Sequence, residues 1–407
     1  MSQLARTMTL DTAPRTGQSK LPSVAILGGG QLARMMAQEG RRMGLTISCI
    51  GPDEALPARP FCHQWFDEKC PDVSNRVAAA HHAVTIESDH AELARLQALE
   101  AAGARVYPPS SSLALLQDRL AQRLWLRRQG IDQPEFGEVD GKGRGLRELI
   151  TAFGGNAVVK TRTGGYDGRG QLRVQGGSGI DDAEALAVRS PVVVEEFVSF
   201  VKEISVVVGR SVSGTTVSYP VVENIHHRHA LLASLCPARV SQQTIHAATK
   251  TAQTLAQRLD YVGVLAVEFF VTADGRVLVN EMAPRVHNSG HLTWGACATS
   301  QFEQHLRLVL GWEPGAVAPL TPAVMMNLFG DSWDHPAVSW STIANSPHAR
   351  LFLYEKKARP FRKIGHLLFT EPTLAAATEH ARRLFIESGL ANSLPGALEQ
   401  FDGRGFD

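Results

Sequence analysis

At 407 residues the chain is too long for one ordinary core, and at roughly 100 to 200 residues per domain it predicts two or three. Its 41 Lys and Arg offset 40 Asp and Glu, which leaves no basic surplus for nucleic acid or an anionic membrane surface. No apolar run approaches the roughly 18 residues of a membrane span, so a small-molecule partner is the expectation.

The first twenty residues, rich in Ser and Thr, suit a transit peptide in composition but lack an amphipathic apolar face, and 1–20 is read as a disordered extension. Val24 to Leu27 then predicts a buried strand, Gln31 to Met43 a helix, and "LTISCI" from Leu45 to Ile50 a second strand, which together make a βαβ unit with parallel strands. The turn between the first strand and the helix matches G-x-G-x-x-A at Gly28, Gly30 and Ala33, a dinucleotide fingerprint. "AVTIES" from Ala83 predicts a later strand, "AELARLQALEAAG" a helix, and "ARVYPPS" a short strand stopped by Pro108 and Pro109. This alternation predicts an α/β, doubly wound parallel-sheet domain over 21–112. The five cysteines are scattered, with no C-x-x-C pair for zinc or a redox disulfide, and His63 and Cys70 are poorly spaced around Cys62 for a metal. A reducing cytoplasm is the expected compartment.

Leu113 to Gln129 predicts one helix closed by Gly130. Over 155–214, short β-branched runs alternate with glycine clusters and predict a small sheet carrying a mobile loop. "SQQTIHAATKTAQTLAQRLDY" predicts a long helix, and "GVLAVEFFVTADGRVLVNEMAP" a hairpin turning at Asp274-Gly275. A last α+β segment carries strands at "ARLFLYEK" and "KIGHLLF" and a helix from Leu374 to Ser388.

Three stretches carry chemistry. "VVKTRTGGYDGRGQ" places Lys160 at a strand end ahead of four glycines, whose backbone amides could close over phosphate oxygens while Lys160 supplies charge. "VVVEEFVSFVKEISVVV" puts Glu195 and Glu196 at the end of a buried strand whose backbone could read an adenine edge, with Glu203 placed for ribose hydroxyls. An exposed strand with solvated carboxylates is the alternative. In the hairpin, Glu268 and Glu281 are each embedded in an apolar strand, and two carboxylates brought together there would repel unless a cation lay between them. Magnesium suits such a pair, with Asn280 as a neutral oxygen donor.

In this order the lysine, glycine-rich flap, acidic adenine strand and two-carboxylate hairpin resemble the ATP-grasp superfamily. "GGGQLARM", "GGYDGRGQ", "YPVVENIH", "NEMAPRVHNSGH", "MMNLFG" and "RPFRKIGH" narrow the resemblance to the N5-carboxyaminoimidazole ribonucleotide synthetase family of purine biosynthesis, over residues 22 to about 390. The resemblance implies an ATP-grasp region at 113–325 with its lid at about 155–214, and a C-terminal α+β segment at 326–407. It implies ATP-dependent carboxylation of 5-aminoimidazole ribonucleotide with bicarbonate through carboxyphosphate, with Mg2+ or Mn2+, in a cytoplasmic homodimer.

By the same resemblance, Arg119, Lys160 and the flap Gly165, Tyr166, Asp167, Gly168, Arg169, Gly170 and Gln171 would bind ATP phosphates. Glu195, Glu196, Phe197 and Val198 would form the adenine hinge, Glu203 and His226 would contact the nucleoside, and Glu268 and Glu281, with Asn280, would hold the metal. Lys160, Asp167, Arg169, Arg285 and His287 would act in catalysis, with a structural role as the alternative for His287. The ribonucleotide would meet Gly30, Gln31, Leu32, Glu87, Tyr166, Asp167, Arg169, Asn288, Lys356, Arg362 and Lys363. The chain departs from the family pattern at Ala33 and Phe361, where glycine is usual, and at Ser88, Asp89 and His90, which with Glu87 stand where the family has E-F-E-N.

Two rivals come from other readings. An NAD-dependent dehydrogenase would need an acid at the tip of the second strand, where Gly51 and Pro52 intervene before Asp53. A formate-dependent ribonucleotide transformylase would show a serine run after Lys-Pro, where this flap reads "KTRTGGYDGRG".

Overall fold

The computed structural model describes residues 21–52, 55–140, 143–165 and 170–401. Asp53, the flap tip Tyr166, Asp167, Gly168 and Arg169, and the extension at 1–20 lie outside the described residues.

The N-terminal sheet has five parallel strands in the order Gln64–Asp67, Thr46–Gly51, Ser23–Leu27, Ala83–Ile86, Val106–Tyr107. Ser23–Leu27 is buried at every position, as an apolar strand covered on both faces must be. Strand order reverses beside it, which opens a crevice at the carboxyl ends of Ser23–Leu27 and Ala83–Ile86, the usual ligand position in such sheets. The helix Gln31–Arg42 follows directly. It ends where Gly44 takes a positive φ of 77° and where Arg41 and Arg42 complement the negative end of its dipole. Its Met35 and Met36 pack with Leu306 of the helix Gln301–Val309 and with Val264, fastening this domain to the large sheet.

The predicted single helix from Leu113 to Gln129 is two, Ser110–Gln117 and Arg119–Arg128. Asp118 breaks it: its backbone is extended, and its carboxylate accepts hydrogen bonds from the Leu120 and Ala121 amides, an N-cap that restarts the helix. Four antiparallel strands make the lid sheet, in the order Phe136–Glu138, Val192–Glu196, Asn156–Thr161, Gln171–Gln175. The helices Leu146–Ala152 and Ile180–Arg189 contribute Leu146, Ile150, Ala183 and Ala187 to its core. The expected small sheet over 155–214 is therefore corrected at both ends. Phe136–Glu138 belongs to it, whereas Phe200–Arg210 belongs to the large sheet.

That large sheet follows the order Val277–Ala283, Gly263–Thr272, Phe200–Arg210, Val222–His227, Ala230–Cys236, Ala323–Phe329, Lys363–Thr370, Ala349–Leu353, with Thr216–Ser218 paired to Phe200–Arg210. The helices Gln242–Arg258 and Leu374–Glu387 cover parts of it. The expected division at residue 326 falls inside the strand Ala323–Phe329, and the C-terminal strands continue the same sheet. All five cysteines are free thiols. Among the described residues no helix is long and apolar enough to cross a membrane.

Candidate active site

A cleft of about 1260 Å³ is lined by the N-terminal crevice, the lid, the large sheet and the C-terminal loop at 356–363. On the lid, Val158 lies opposite Glu195, and Lys160, two residues further along, projects from the same face. Lys160 Nζ donates to Glu195 Oε2 at 2.8 Å and lies 3.5 Å from Asn280 Oδ1. Glu195 does not project into solvent. Only 2% exposed, it also accepts from Arg123 Nε at 2.7 Å. Burial would raise its pKa, but Arg123 and Lys160 together outweigh burial and hold the carboxyl at about 2. Past the strand, Phe197 N–H donates to Asn156 O, and Phe197 and Val198 line the cleft.

Glu268 stands opposite Glu281 on one neighbouring strand and opposite Ser205 on the other, with Glu203 two residues from Ser205. The register slips between Glu268 and Phe269, so Asn280 is the unpaired residue of a bulge. Strict alternation would send neighbours to opposite faces, but the bulge lets both Asn280 and Glu281 line the cleft. Burial first, and then the Glu281 charge, raise Glu268 well above the usual carboxylate range. Two opposed carboxylates with an amide oxygen nearby form a hard, oxygen-only donor set, which fits magnesium.

His287 Nε2 lies 3.5 Å from Glu268 Oε1, and its Nδ1 lies 2.9 Å from Ser289 Oγ. Gln301 clamps the His287 backbone, accepting from its N–H and donating to its carbonyl. Glu203 and His226 face each other, with Nδ1 3.0 Å from the carboxylate. Burial alone would lower the imidazole pKa, but Glu203 overrides it and pushes His226 up to about 9.

Arg119 donates to the carbonyls of Thr161 and Gly165, bracing the base of the flap, while Arg162 is held by Asp118. Gly164, Gly165 and Gln171 line the cleft, and Gly170 turns the returning strand at a φ of 72°.

The glycines after the first strand make room for Glu87. A Cβ at Gly28 would lie 2.4 Å from Glu87 Cγ, and one at Gly30 would lie 2.7 Å from Oε1. The Glu87 carboxylate accepts from Gly30 N–H at 2.5 Å and from Ala33 N–H at 3.1 Å. A side-chain carboxylate thus already occupies part of the helix N-terminus expected to take a phosphate. Gln31 and Leu32 still line the cleft, and Lys356 Nζ donates to Gln31 Oε1 at 2.5 Å, joining the C-terminal loop to this turn.

Arg362 and Lys363 follow Phe361, which has a φ of 56°. A left-handed non-glycine residue costs on the order of 1–3 kcal/mol. The Phe361 amide donates to Asp331 Oδ2 at 2.6 Å, which helps to hold the turn. Gly330 of "MMNLFG" lets this loop close, because a Cβ there would lie 2.2 Å from Arg359 O. Asn288 exchanges two hydrogen bonds with Asn327, and its amide acts mainly to hold the wall.

The sequence reading missed three side chains. Arg123 is one. Asp89, visible in the sequence only as a departure from the family pattern, is another: it accepts from Arg285 Nε at 3.0 Å, and although burial acts to raise its pKa, Arg285 holds it at about 2. The third is Glu223, buried at the cleft edge and bound by Lys202 and Arg239. Their spacings gave no local signal, because each pair is set by tertiary packing.

Three family matches run along the chain: a ribonucleotide synthetase preATP-grasp domain at residues 21–117, an ATP-grasp domain at 124–302 and a phosphoribosylaminoimidazole carboxylase C-terminal domain at 323–380. The chain is 38% identical over 361 residues to an N5-carboxyaminoimidazole ribonucleotide synthase of Brucella melitensis, covering 86% of this chain and 96% of the relative. It is similar to the Staphylococcus aureus N5-carboxyaminoimidazole synthetase complexed with ADP, with a TM-score of 0.84 and 29% identity, covering 92% of this chain and all of that one. It is also similar to the Aspergillus clavatus N5-carboxyaminoimidazole synthase in complex with ADP and 5-aminoimidazole ribonucleotide, with a TM-score of 0.83 and 27% identity, covering 90% and 98% of the two chains.

Proposed function

This chain belongs to the N5-carboxyaminoimidazole ribonucleotide synthetase family of ATP-grasp ligases, and on that premise we propose how its cleft joins carbon to nitrogen. It is an ATP-dependent ligase that carboxylates 5-aminoimidazole ribonucleotide in purine biosynthesis. The observation that carries the residue assignments is the convergence of Lys160, the opposed pair Glu268 and Glu281, and the basic loop at 356–363 on one cleft.

Bicarbonate is the carbon donor in this reading, and a homodimer is its expected assembly. A bicarbonate oxygen attacks the γ-phosphorus of ATP, ADP leaves, and carboxyphosphate results. The amine of the ribonucleotide then attacks the carboxyl carbon, phosphate departs, and the nitrogen loses a proton. Lys160, kept in place by Glu195, lies against the transferring phosphoryl group and neutralises its charge. The residues Glu195 to Val198 form the adenine hinge, and Glu203, faced by His226, accepts ribose hydroxyls. Glu268 and Glu281, beside Asn280, would hold magnesium, which would supply further charge neutralisation at phosphate oxygens.

Arg285, oriented by Asp89, holds the bicarbonate anion with His287 close by. The ribonucleotide phosphate lies between the Gln31 and Leu32 amides and Lys356, Arg362 and Lys363. Glu87 fixes that turn and faces the nucleotide. Tyr166, Asp167 and Arg169, which lie outside the described residues, act on both substrates in this reading, where exclusion of water preserves carboxyphosphate.

The test is phosphate release with ATP, bicarbonate and the ribonucleotide, each omitted in turn. Release is expected to depend on the ribonucleotide, and release independent of it would overturn the assignment. Asp89→Asn tests the bicarbonate site. A hydrogen bond between charged groups contributes about 1.5–3 kcal/mol, so the bicarbonate KM is expected to rise by about 10- to 150-fold with the ATP KM unchanged. Equal bicarbonate KM values would detach Asp89 from that site. The depressed pKa of Asp89 means that its pairing is fully present above 3.8, its ordinary value, and is lost as pH falls through about 2.

A further inference from the structure

We propose that His348, Glu371 and His380 form a binding site for a transition-metal ion of the zinc class, on the C-terminal part of the large sheet and separate from the catalytic cleft. Three elements supply it. His348 directly precedes the strand Ala349–Leu353, Glu371 directly follows Lys363–Thr370, and His380 lies on the helix Leu374–Glu387. The two strands pair antiparallel with Ala349 opposite Phe369, which brings His348 and Glu371 to the same end of the sheet.

The Nδ1 atoms of His348 and His380 each lie 2.8 Å from the same atom, Glu371 Oε1. Their rings are tilted against each other, with centroids 3.7 Å apart and planes 30° apart. The candidate donor atoms all fall within 4.8 Å of one another. Tetrahedral zinc holds nitrogen and oxygen ligands at about 2.0–2.2 Å, so neighbouring donor atoms stand roughly 3.4 Å apart. Binding an ion requires each 2.8 Å nitrogen–oxygen spacing to open to that value.

Two ring nitrogens aimed at one carboxylate oxygen must both present N–H there, whereas a cation between the three groups lets both present lone pairs. Two imidazoles and a carboxylate favour zinc, copper or nickel over magnesium, which separates this site from the oxygen donors at Glu268 and Glu281. The site is open to solvent: the His348 side chain is 38% exposed, and both histidines line a surface cleft of about 520 Å³ together with Ser341, Asn345 and Arg383. A water or a small anion can therefore complete the coordination. A bound ion ties the helix Leu374–Glu387 to the sheet end.

The test uses the full chain, stripped with a chelator and dialysed against Zn2+ alone. Wild type is expected to bind one equivalent more than His348→Gln/His380→Gln, and affinity at this site is expected to fall by at least about tenfold in Glu371→Gln. Cobalt is expected to give the visible absorption of a four-coordinate ion in wild type only. Zn2+ is expected to raise the Tm of wild type more than that of the double variant, and carboxylation without zinc is expected to be equal in the two. Equal zinc stoichiometry in wild type and the folded double variant would overturn the proposal, leaving the triad as an ion pair. If the double variant fails to fold, unchanged zinc affinity in Glu371→Gln overturns it.

Discussion

Glu281→Gln is expected to lower kcat by about three orders of magnitude and to remove its dependence on magnesium, while leaving the metal-free protein more stable than wild type at neutral and alkaline pH. The activity loss follows from charge neutralisation worth several kcal/mol at about 1.36 kcal/mol per tenfold. The gain in stability follows from the opposition of Glu268 and Glu281 across a bulged hairpin. Burial and the Glu281 charge raise the folded-state pKa of Glu268 above its ordinary 4.5. The folded state therefore binds an extra proton between the two values, and stability falls as pH rises through that window. Removing the facing charge flattens the fall. Tm measured from pH 5 to 9 without metal, for wild type and variant, reads the coupling, and turnover against magnesium concentration reads the function. Unchanged turnover would remove Glu281 from the metal site, and parallel Tm curves would show that the two carboxylates do not interact.

The parts of the site legible in the sequence are those whose signal is local. Lys160 at the end of a β-branched strand and the glycines after it lie within a dozen residues, and the hairpin bearing Glu268 and Glu281 is marked by Asp274-Gly275. The doubly wound domain was legible because its strands are apolar and its turns carry Gly and Pro. Its third strand, Gln64–Asp67, was not, since it is a four-residue edge strand with one buried position. The pairing of the Glu195 carboxylate with Arg123 was not legible, because Arg123 is 72 residues away on a helix whose start depends on the Asp118 cap. Glu87 closes the first helix from a strand that the parallel crossover brings alongside, so no spacing in "GGGQLARM" announces it. Phe361 was visible as a departure from glycine, but the hydrogen bond from its amide to Asp331 depends on the loop's closure over Gly330.

Arg123→Met is the complementary test, since it leaves every expected substrate contact in place and removes the counter-charge that shares Glu195 with Lys160. Arg123 and Glu195 are each 3% exposed along their side chains, and the guanidinium also donates to the Val279 carbonyl at 2.8 Å, tying the lid to the hairpin that bears Glu268 and Glu281. Removing one member of a buried ion pair costs on the order of 3–5 kcal/mol, because the remaining charge stays buried without its counterion. Glu195 would then draw fully on Lys160, and the lysine would be less available to a phosphate. Arg123→Met is therefore expected to destabilise the protein by about 3 kcal/mol in urea titrations, to raise the ATP KM and to lower turnover, with the ribonucleotide KM little changed. Arg123→Met/Glu195→Gln separates the two effects: neutralising Glu195 should restore most of the stability while turnover stays low, because Lys160 has lost the carboxylate that places it. If the double variant regains both stability and turnover, Glu195 does not position Lys160. If the single variant matches wild type in both, the Arg123, Glu195 and Lys160 cluster is not what orders the ATP site.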